Sequence, residues 1–170
     1  MTDEPLLQAD ESPGASKAEL PLKTVIGRLL REQPYAVLCT QGEGQPYGSL
    51  VALAATDDLT SMFFATPKAT RKYRLLCQCD HVALVVDSRS VRSDDMMQIE
   101  ALTITGRATE LTDSEDIERY SRLLLNRHVQ LESFVAAPST ALFQVEVVRY
   151  FHVTRFQEVR EWKPTRGSSH

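Results

Sequence analysis

The sequence predicts a mainly β protein, a small antiparallel β-barrel of six to seven strands with flanking helices. Short apolar segments of strand length outnumber the helical segments, and short turns join most of them. The regular strand–helix–strand alternation of a parallel sheet is absent. With 170 residues, of which 42% are hydrophobic, the chain is long enough for one domain with a substantial core.

We expect this domain to span residues 19–162. Residues 1–18 are rich in Asp, Glu, Ser, Pro and Gly and have few apolar side chains to bury, which predicts a disordered N-terminal tail. Residues 163–170 are polar, and we expect a flexible C-terminal tail there.

The first half of the domain is predicted to contain one helix and three strands. Apolar residues recur at helical spacing from Leu22 to Leu30, and Pro34 ends this helix. Two β-like segments around a Gly-rich turn form a hairpin, and Asp57-Asp58 marks the next turn. The predicted strands are 35–40, 46–55 and 61–65.

The second half is predicted to contain three helices and four strands. Gly106 lies inside a long strand and indicates a bulge or a close approach of the backbone. Residues 88–97 are polar and predict a loop, whereas Thr112 to Glu115 resembles a capped helix start. The predicted helices are 70–79, 112–128 and 129–136, and the predicted strands are 81–87, 100–111, 140–148 and 150–156.

Charge and composition exclude several classes of partner. The net charge of -4 gives no general attraction to nucleic acid or to an anionic membrane, so neither is an expected partner. No segment approaches the ~18 consecutive apolar residues of a membrane span. Three cysteines, with one residue between Cys77 and Cys79, do not form a disulfide or zinc pattern and favour a reduced cytoplasmic protein. No two histidines have metal-ligand spacing, so no metal site is expected.

The segment from Phe63 to Tyr73 predicts a phosphate site. Two threonine hydroxyls and several cations surround the start of a predicted helix, whose first N–H groups have no partner within the helix. An arginine can also donate to two phosphate oxygens at once. The alternative interpretation is local: Thr70 is an ordinary helix N-cap, and Lys68, Arg71 and Lys72 form a solvated face.

Over residues 20–160 the chain resembles the pyridoxamine 5′-phosphate oxidase-like family, the flavin-binding split barrels. The most specific segment is Met62 to Lys72, with an aromatic pair, a threonine, and a second threonine directly before Arg-Lys. The segment Asp80 to Val86 resembles the family's next element, and Leu102 to Ala108 resembles its later strand with a Gly-Arg-Ala sequence. Three matches in the right order and spacing are more specific than one alone.

This resemblance implies that the antiparallel β-barrel is split and that the protein is a homodimer. It also implies flavin mononucleotide (FMN) in the groove between the subunits. It places the phosphate against Thr66, Thr70, Arg71 and Lys72. It also places the isoalloxazine ring beside a strand that offers backbone groups, and this strand comprises Ser49, Leu50, Val51 and Ala52.

The chain also departs from the family pattern. The segment 49–55 lacks the arginine and the lysine that the family often has there, so one set of phosphate and ring contacts is either missing or replaced, with Lys68 as the candidate replacement. True pyridoxamine phosphate oxidases have an Arg-Gln pair near Glu100-Ala101, and residues 155–162 lack the run that holds their substrate. We therefore do not expect vitamin B6 oxidation.

The resemblance implies an FMN-dependent oxidoreductase acting on an unidentified small molecule. The alternatives are a non-catalytic flavin- or haem-binding protein and a reductase that uses the deazaflavin cofactor F420. Catalytic residues stay unassigned, because a flavin itself carries the redox chemistry. Arg89 follows a strand and is a candidate contact for the flavin edge or an anionic substrate, the alternative being a salt bridge to Asp87 or Asp94.

Overall fold

The structure of the protein is a computed structural model that describes residues 20–90, 95–155 and 158–165. The predicted N-terminal tail therefore lies outside the described residues. The same holds for residues 166–170 of the predicted C-terminal tail and for residues 91–94 of the predicted loop.

The described residues form a curled antiparallel sheet of eight strands, a half-barrel flanked by four α-helices. This confirms the predicted fold class, with one strand more than expected. The helices are α1 (Leu22–Glu32), α2 (Arg71–Gln78), α3 (Ser114–Arg127) and α4 (Glu132–Ala136). The strands are β1 (Tyr35–Gly42), β2 (Gln45–Ala52), β3 (Ala54–Ala55), β4 (Ser61–Pro67), β5 (His81–Asp87), β6 (Ala101–Glu110), β7 (Thr140–Thr154) and β8 (Glu158–Trp162). No helix in the described part of the chain is long and apolar enough to cross a membrane.

The order of strands in the sheet is β2-β1-β5-β6-β7-β4-β3, and β8 also pairs with β7. The strand β7 is long enough to pair with β4 along residues 140–146 and with β8 along residues 150–154. It thus continues the sheet in two directions, which is how a single sheet curls around one core.

The sequence prediction was wrong about the extent of two strands, and it did not include β8. Residues 140–154 form one strand, because Val148 is an extra residue on β7 where β6 passes directly from Thr105 to Gly106. Such a bulge shifts the alternation of buried and exposed side chains, and this shift resembles a strand end in the sequence. The predicted strand 46–55 is interrupted at Leu53, whose N–H donates to the carbonyl of Pro34.

The core lies on the inner side of the half-barrel, where α1 covers it. Ile26 and Leu29 of α1 are fully buried together with side chains from every long strand of the sheet. The buried Tyr150 hydroxyl donates to the carbonyl of Leu59 at 2.6 Å, so the one polar group of this large core side chain is satisfied. One continuous packed interior therefore holds the sheet and α2 in position.

The bulge generates a stability prediction at Gly106. A Cβ atom at this position would lie 2.5 Å from the carbonyl oxygen of Glu146, which belongs to the backbone and cannot move aside easily. We expect Gly106→Ala to lower the free energy of unfolding by about 1–3 kcal/mol, measured by urea denaturation.

Gly48→Ala is the matched control, because its added Cβ would meet only Val37 Cγ1, at an ordinary 3.5 Å. It should change stability by less than about 0.5 kcal/mol. Equal stability of the two variants would contradict this account of the bulge.

Candidate functional site

The start of α2 is shaped by the side chain of Thr70. Its hydroxyl accepts from the N–H of Tyr73 at 3.2 Å and donates to the carbonyl of Pro67 at 2.8 Å. Thr70 is therefore the N-cap of this helix, as the local interpretation predicted. The N–H groups of Arg71 and Lys72, in the same first turn, have no acceptor within the helix.

The second threonine of the predicted phosphate site lies inside the protein. Thr66 is fully buried in β4, and its hydroxyl lies 3.2 Å from that of Thr70. Because the Thr70 hydrogen is directed to Pro67, Thr66 is the donor of this pair. Both hydroxyls are thus already used in bonds that hold the turn between β4 and α2.

The two consecutive cations of α2 both contact β2. Arg71 is exposed, and its guanidinium lies over the ring of Tyr47, 5.2 Å from the ring centroid. The ammonium of Lys72 donates to the carbonyl of Leu50 at 3.3 Å, and burial lowers the pKa of this ammonium. The structure therefore brings together the predicted phosphate residues of α2 and the predicted ring-binding strand.

The strand β2 lies at the end of the sheet order and pairs with β1 in the described part of the chain. The edge of β2 that faces away from β1 consequently presents backbone donors and acceptors that can bind a ligand. Val51 is buried, Ala52 is half-buried, and Leu50 is 67% exposed. The Ser49 hydroxyl oxygen is buried and has no hydrogen-bond partner among the described residues.

Lys68 has an acidic partner that the sequence did not indicate. Its ammonium lies 3.6 Å from Glu110 Oε1, and Glu110 Oε2 accepts from the Tyr73 hydroxyl at 2.8 Å. The hydrogen bond to Glu110, together with burial, raises the pKa of Tyr73 to about 12. The ammonium of Lys68 is therefore partly neutralised before any ligand binds.

Arg89 forms the salt bridge that the alternative interpretation predicted. Its Nε donates to Asp87 Oδ1 at 2.7 Å, and 71% of its side chain is exposed. Arg89 and Leu50 also line one cavity of about 420 Å³, so the structure brings this candidate near the ring-binding strand.

One cluster of possible metal ligands was not indicated by the sequence. Cys79, Asp80 and His81 offer donor atoms that all lie within 4.8 Å of one another. Arg107 donates to Asp80 at 3.1 Å and adds a positive charge there, which opposes a cation. We therefore assign no metal role to this cluster.

The donors at the start of α2 fit the phosphate of a nucleotide. Arg71 and Lys72 provide two backbone N–H groups that have no acceptor within the helix, together with one guanidinium and one ammonium. The buried, unpartnered Ser49 hydroxyl lies in the adjacent strand and is suited to bond with the rest of such a ligand. Tyr47, whose ring contacts the guanidinium of Arg71, lies in no recognisable sequence motif, so its role could not be predicted.

The fold is that of a split-barrel protein in which the N-terminus of α2 lies beside the edge strand β2. A family model described as pyridoxamine 5′-phosphate oxidase matches residues 22–154. The chain belongs to the pyridoxamine 5′-phosphate oxidase-like family. A search of the curated proteins found no match.

Several solved structures share the fold at low sequence identity. The chain is similar to a haem-binding protein from Mycobacterium smegmatis, with 15% identity and a TM-score of 0.74 over 86% of this chain and 60% of that one. It is similar to ChuZ from Campylobacter jejuni, with 9% identity and a TM-score of 0.73 over 84% and 59%. General stress protein 26 from Bacillus anthracis has 14% identity and a TM-score of 0.63 over 84% and 98%. The chain thus spans about three fifths of the first two proteins, and these likenesses concern the fold.

The hydrogen bond between Tyr73 and Glu110 should make the stability of the protein depend on pH in the alkaline range. A raised pKa means that the folded state favours the neutral phenol, so this stabilisation is complete below the ordinary pKa of 10 and is lost as the pH rises through about 12. Carbon-13 NMR of tyrosine Cζ should show Tyr73 titrating near 12. In Glu110→Gln its pKa should fall toward the ordinary value, whereas the exposed control Glu115→Gln should not change it. Titration of wild-type Tyr73 at the ordinary value would contradict the contact.

Proposed function

We propose that this protein binds FMN and acts as a flavin-dependent oxidoreductase on a small molecule. The observation that carries the proposal is the contact of Arg71 and Lys72 with β2, through Tyr47 and the carbonyl of Leu50. A phosphate site and a strand edge suited to a flat ring are thereby adjacent. Family membership supports the same assignment.

The phosphate would be bound by the first turn of α2. The N–H groups of Arg71 and Lys72, the exposed guanidinium and the ammonium provide donors from one short segment. Thr66 and Thr70 keep this turn in shape through their hydroxyl pair, so they support the site even where they do not touch the anion. Lys68 contributes positive potential that its pairing with Glu110 reduces.

The ring would lie along the free edge of β2, residues 49–52. This edge offers backbone groups, and the unpartnered Ser49 hydroxyl adds a donor and an acceptor. A bound flavin supplies hydride and electron transfer, so the protein needs no dedicated nucleophile. The chain's own task is then to orient the ring, hold the substrate and exclude water.

We also infer that two copies of the chain form the flavin groove. Tyr35 and Leu50 are 48% and 67% exposed, and they lie on the side of β1 and β2 that faces away from the core. Large apolar side chains at a ligand site are commonly covered by a partner. A second copy of this chain would cover them and close the open side of the groove.

The phosphate assignment predicts the behaviour of the double variant Arg71→Ala/Lys72→Ala. Charged hydrogen bonds contribute about 1.5–3 kcal/mol each, so losing two should weaken FMN binding by about a hundredfold or more. Quenching of FMN fluorescence during titration measures this affinity. Thermal unfolding should show an intact fold, because neither side chain belongs to the buried core.

The matched control is Lys23→Ala/Arg122→Ala, which removes the same two charges from exposed positions on α1 and α3. Its FMN affinity should equal that of the wild type. The proposal fails if the Arg71/Lys72 variant also keeps wild-type affinity while folded.

The shared groove predicts a dimer in sedimentation experiments at working concentration. Leu50→Asp should produce monomers and weaken FMN binding, because it places a carboxylate in the proposed interface. Val129→Asp is the control, since Val129 is 75% exposed outside β1 and β2. A wild-type protein that sediments only as a monomer would contradict the shared groove.

Haem is a second candidate ligand, favoured by the likeness to the haem-binding protein of M. smegmatis. The absorption spectrum of the purified protein separates the candidates. Paired visible bands from a yellow protein support a flavin, and a sharp Soret band would support haem. Identification of the extracted cofactor by mass also separates FMN from the deazaflavin cofactor F420.

A further inference from the structure

The cavity of about 420 Å³ that Arg89 shares with Leu50 has an apolar floor. Leu50, Val37 and Val85 stand side by side on three neighbouring strands, β2, β1 and β5. The floor is on the outer side of the sheet, because the next residues along β1 and β5, Leu38 and Leu84, are fully buried in the core. A level row of apolar side chains suits a flat ring.

Gln33, which lines this cavity, has a buried donor with no acceptor in the described part of the chain. Gln33 is only 6% exposed, and its backbone is fixed by bonds to Leu29 and from Arg127. Its Oε1 accepts from the Ser90 hydroxyl at 3.0 Å, but its Nε2 has no hydrogen-bond partner among the described residues. Leaving a buried amide N–H unsatisfied is destabilising, and an acceptor oxygen of a ligand would satisfy it.

Arg89, which also lines the cavity, has a positioned guanidinium. The backbone N–H and the Nε of Arg89 both donate to Asp87 Oδ1, at 3.0 and 2.7 Å. The Nε bond uses one of the five N–H donors of the guanidinium, and the remaining fork matches the two oxygens of a carboxylate.

We propose that this cavity is a substrate subsite for a flat aromatic carboxylate. The ring would pack on Leu50, Val37 and Val85, while the carboxylate would bond to Gln33 Nε2 and Arg89. Leu50 belongs both to this cavity and, through its carbonyl, to the contact with Lys72, so the subsite adjoins the proposed flavin groove. The proposed second copy of the chain would then cover Leu50 with the bound ring between them. Its occupant is a substrate only if the proposed function holds, whereas its ligand chemistry does not depend on flavin.

Calorimetric titration of the full chain, with and without FMN, tests this assignment. Sodium benzoate is the probe, and benzyl alcohol provides the same ring without a charge. We expect benzoate to bind at least about tenfold more tightly than benzyl alcohol, because charged hydrogen bonds hold the carboxylate. Equal affinities, or no binding of benzoate in either state, would overturn the subsite.

Arg89→Gln and Gln33→Leu should each weaken benzoate binding about tenfold or more and leave benzyl alcohol unaffected. Arg122→Gln is the matched control, since Arg122 is 73% exposed and pairs with Glu118 as Arg89 pairs with Asp87. Arg89 is exposed, so its variant carries the test even if Gln33→Leu fails to fold. Wild-type benzoate affinity in folded Arg89→Gln would refute the subsite.

The two proposals fail in distinguishable ways. If FMN does not bind but benzoate binds with the expected dependence on Arg89, the subsite stands and the flavin assignment falls. If FMN binds and excludes benzoate that the flavin-free protein accepts, the flavin itself occupies the cavity and the subsite is wrong.

Discussion

The contact between α2 and β2 is the interaction on which the site depends. Thr70 begins α2 where Arg71 lies over Tyr47 and Lys72 reaches the carbonyl of Leu50. Without it, the cations of α2 and the edge of β2 would be unrelated parts of the surface. With it, donors for an anion adjoin a strand that can hold a flat ring, which is the geometry a nucleotide cofactor requires.

The curl of the sheet brings α2 and β2 into contact. The strand β7 pairs with β4 at one end and β8 at the other, so the sheet closes partly on itself around the core. The turn after β4, which leads into α2, is tied down by the hydroxyl pair of Thr66 and Thr70. The stability of the core and the geometry of the site are therefore connected through one turn.

Patterns of neighbouring residues made much of the fold predictable. Apolar segments of strand length, turn residues and the N-cap at Thr70 are local features, and the sequence shows all three. The bulge at Val148 was misread as a strand end, because a shift in alternation has the same appearance in both cases.

The partners of the site residues were less predictable. Glu110 meets Tyr73 across 37 positions and also pairs with Lys68, and no local pattern encodes such a contact. The unpartnered amide of Gln33 is likewise visible only once the surrounding strands are assembled. The contacts of Arg89 were partly predictable. Its salt bridge to Asp87 is local and was one of the two predicted interpretations. Its place in one cavity with Leu50 depends on strand pairing across the sheet.

The central claim, that the start of α2 binds a nucleotide phosphate, is tested most directly by comparing FMN with riboflavin, which is the same molecule without the phosphate. The ratio of their dissociation constants for the wild-type protein isolates the contribution of that group. A phosphate held by charged hydrogen bonds should make FMN bind about a hundredfold more tightly or better. Equal affinities for FMN and riboflavin would contradict the account.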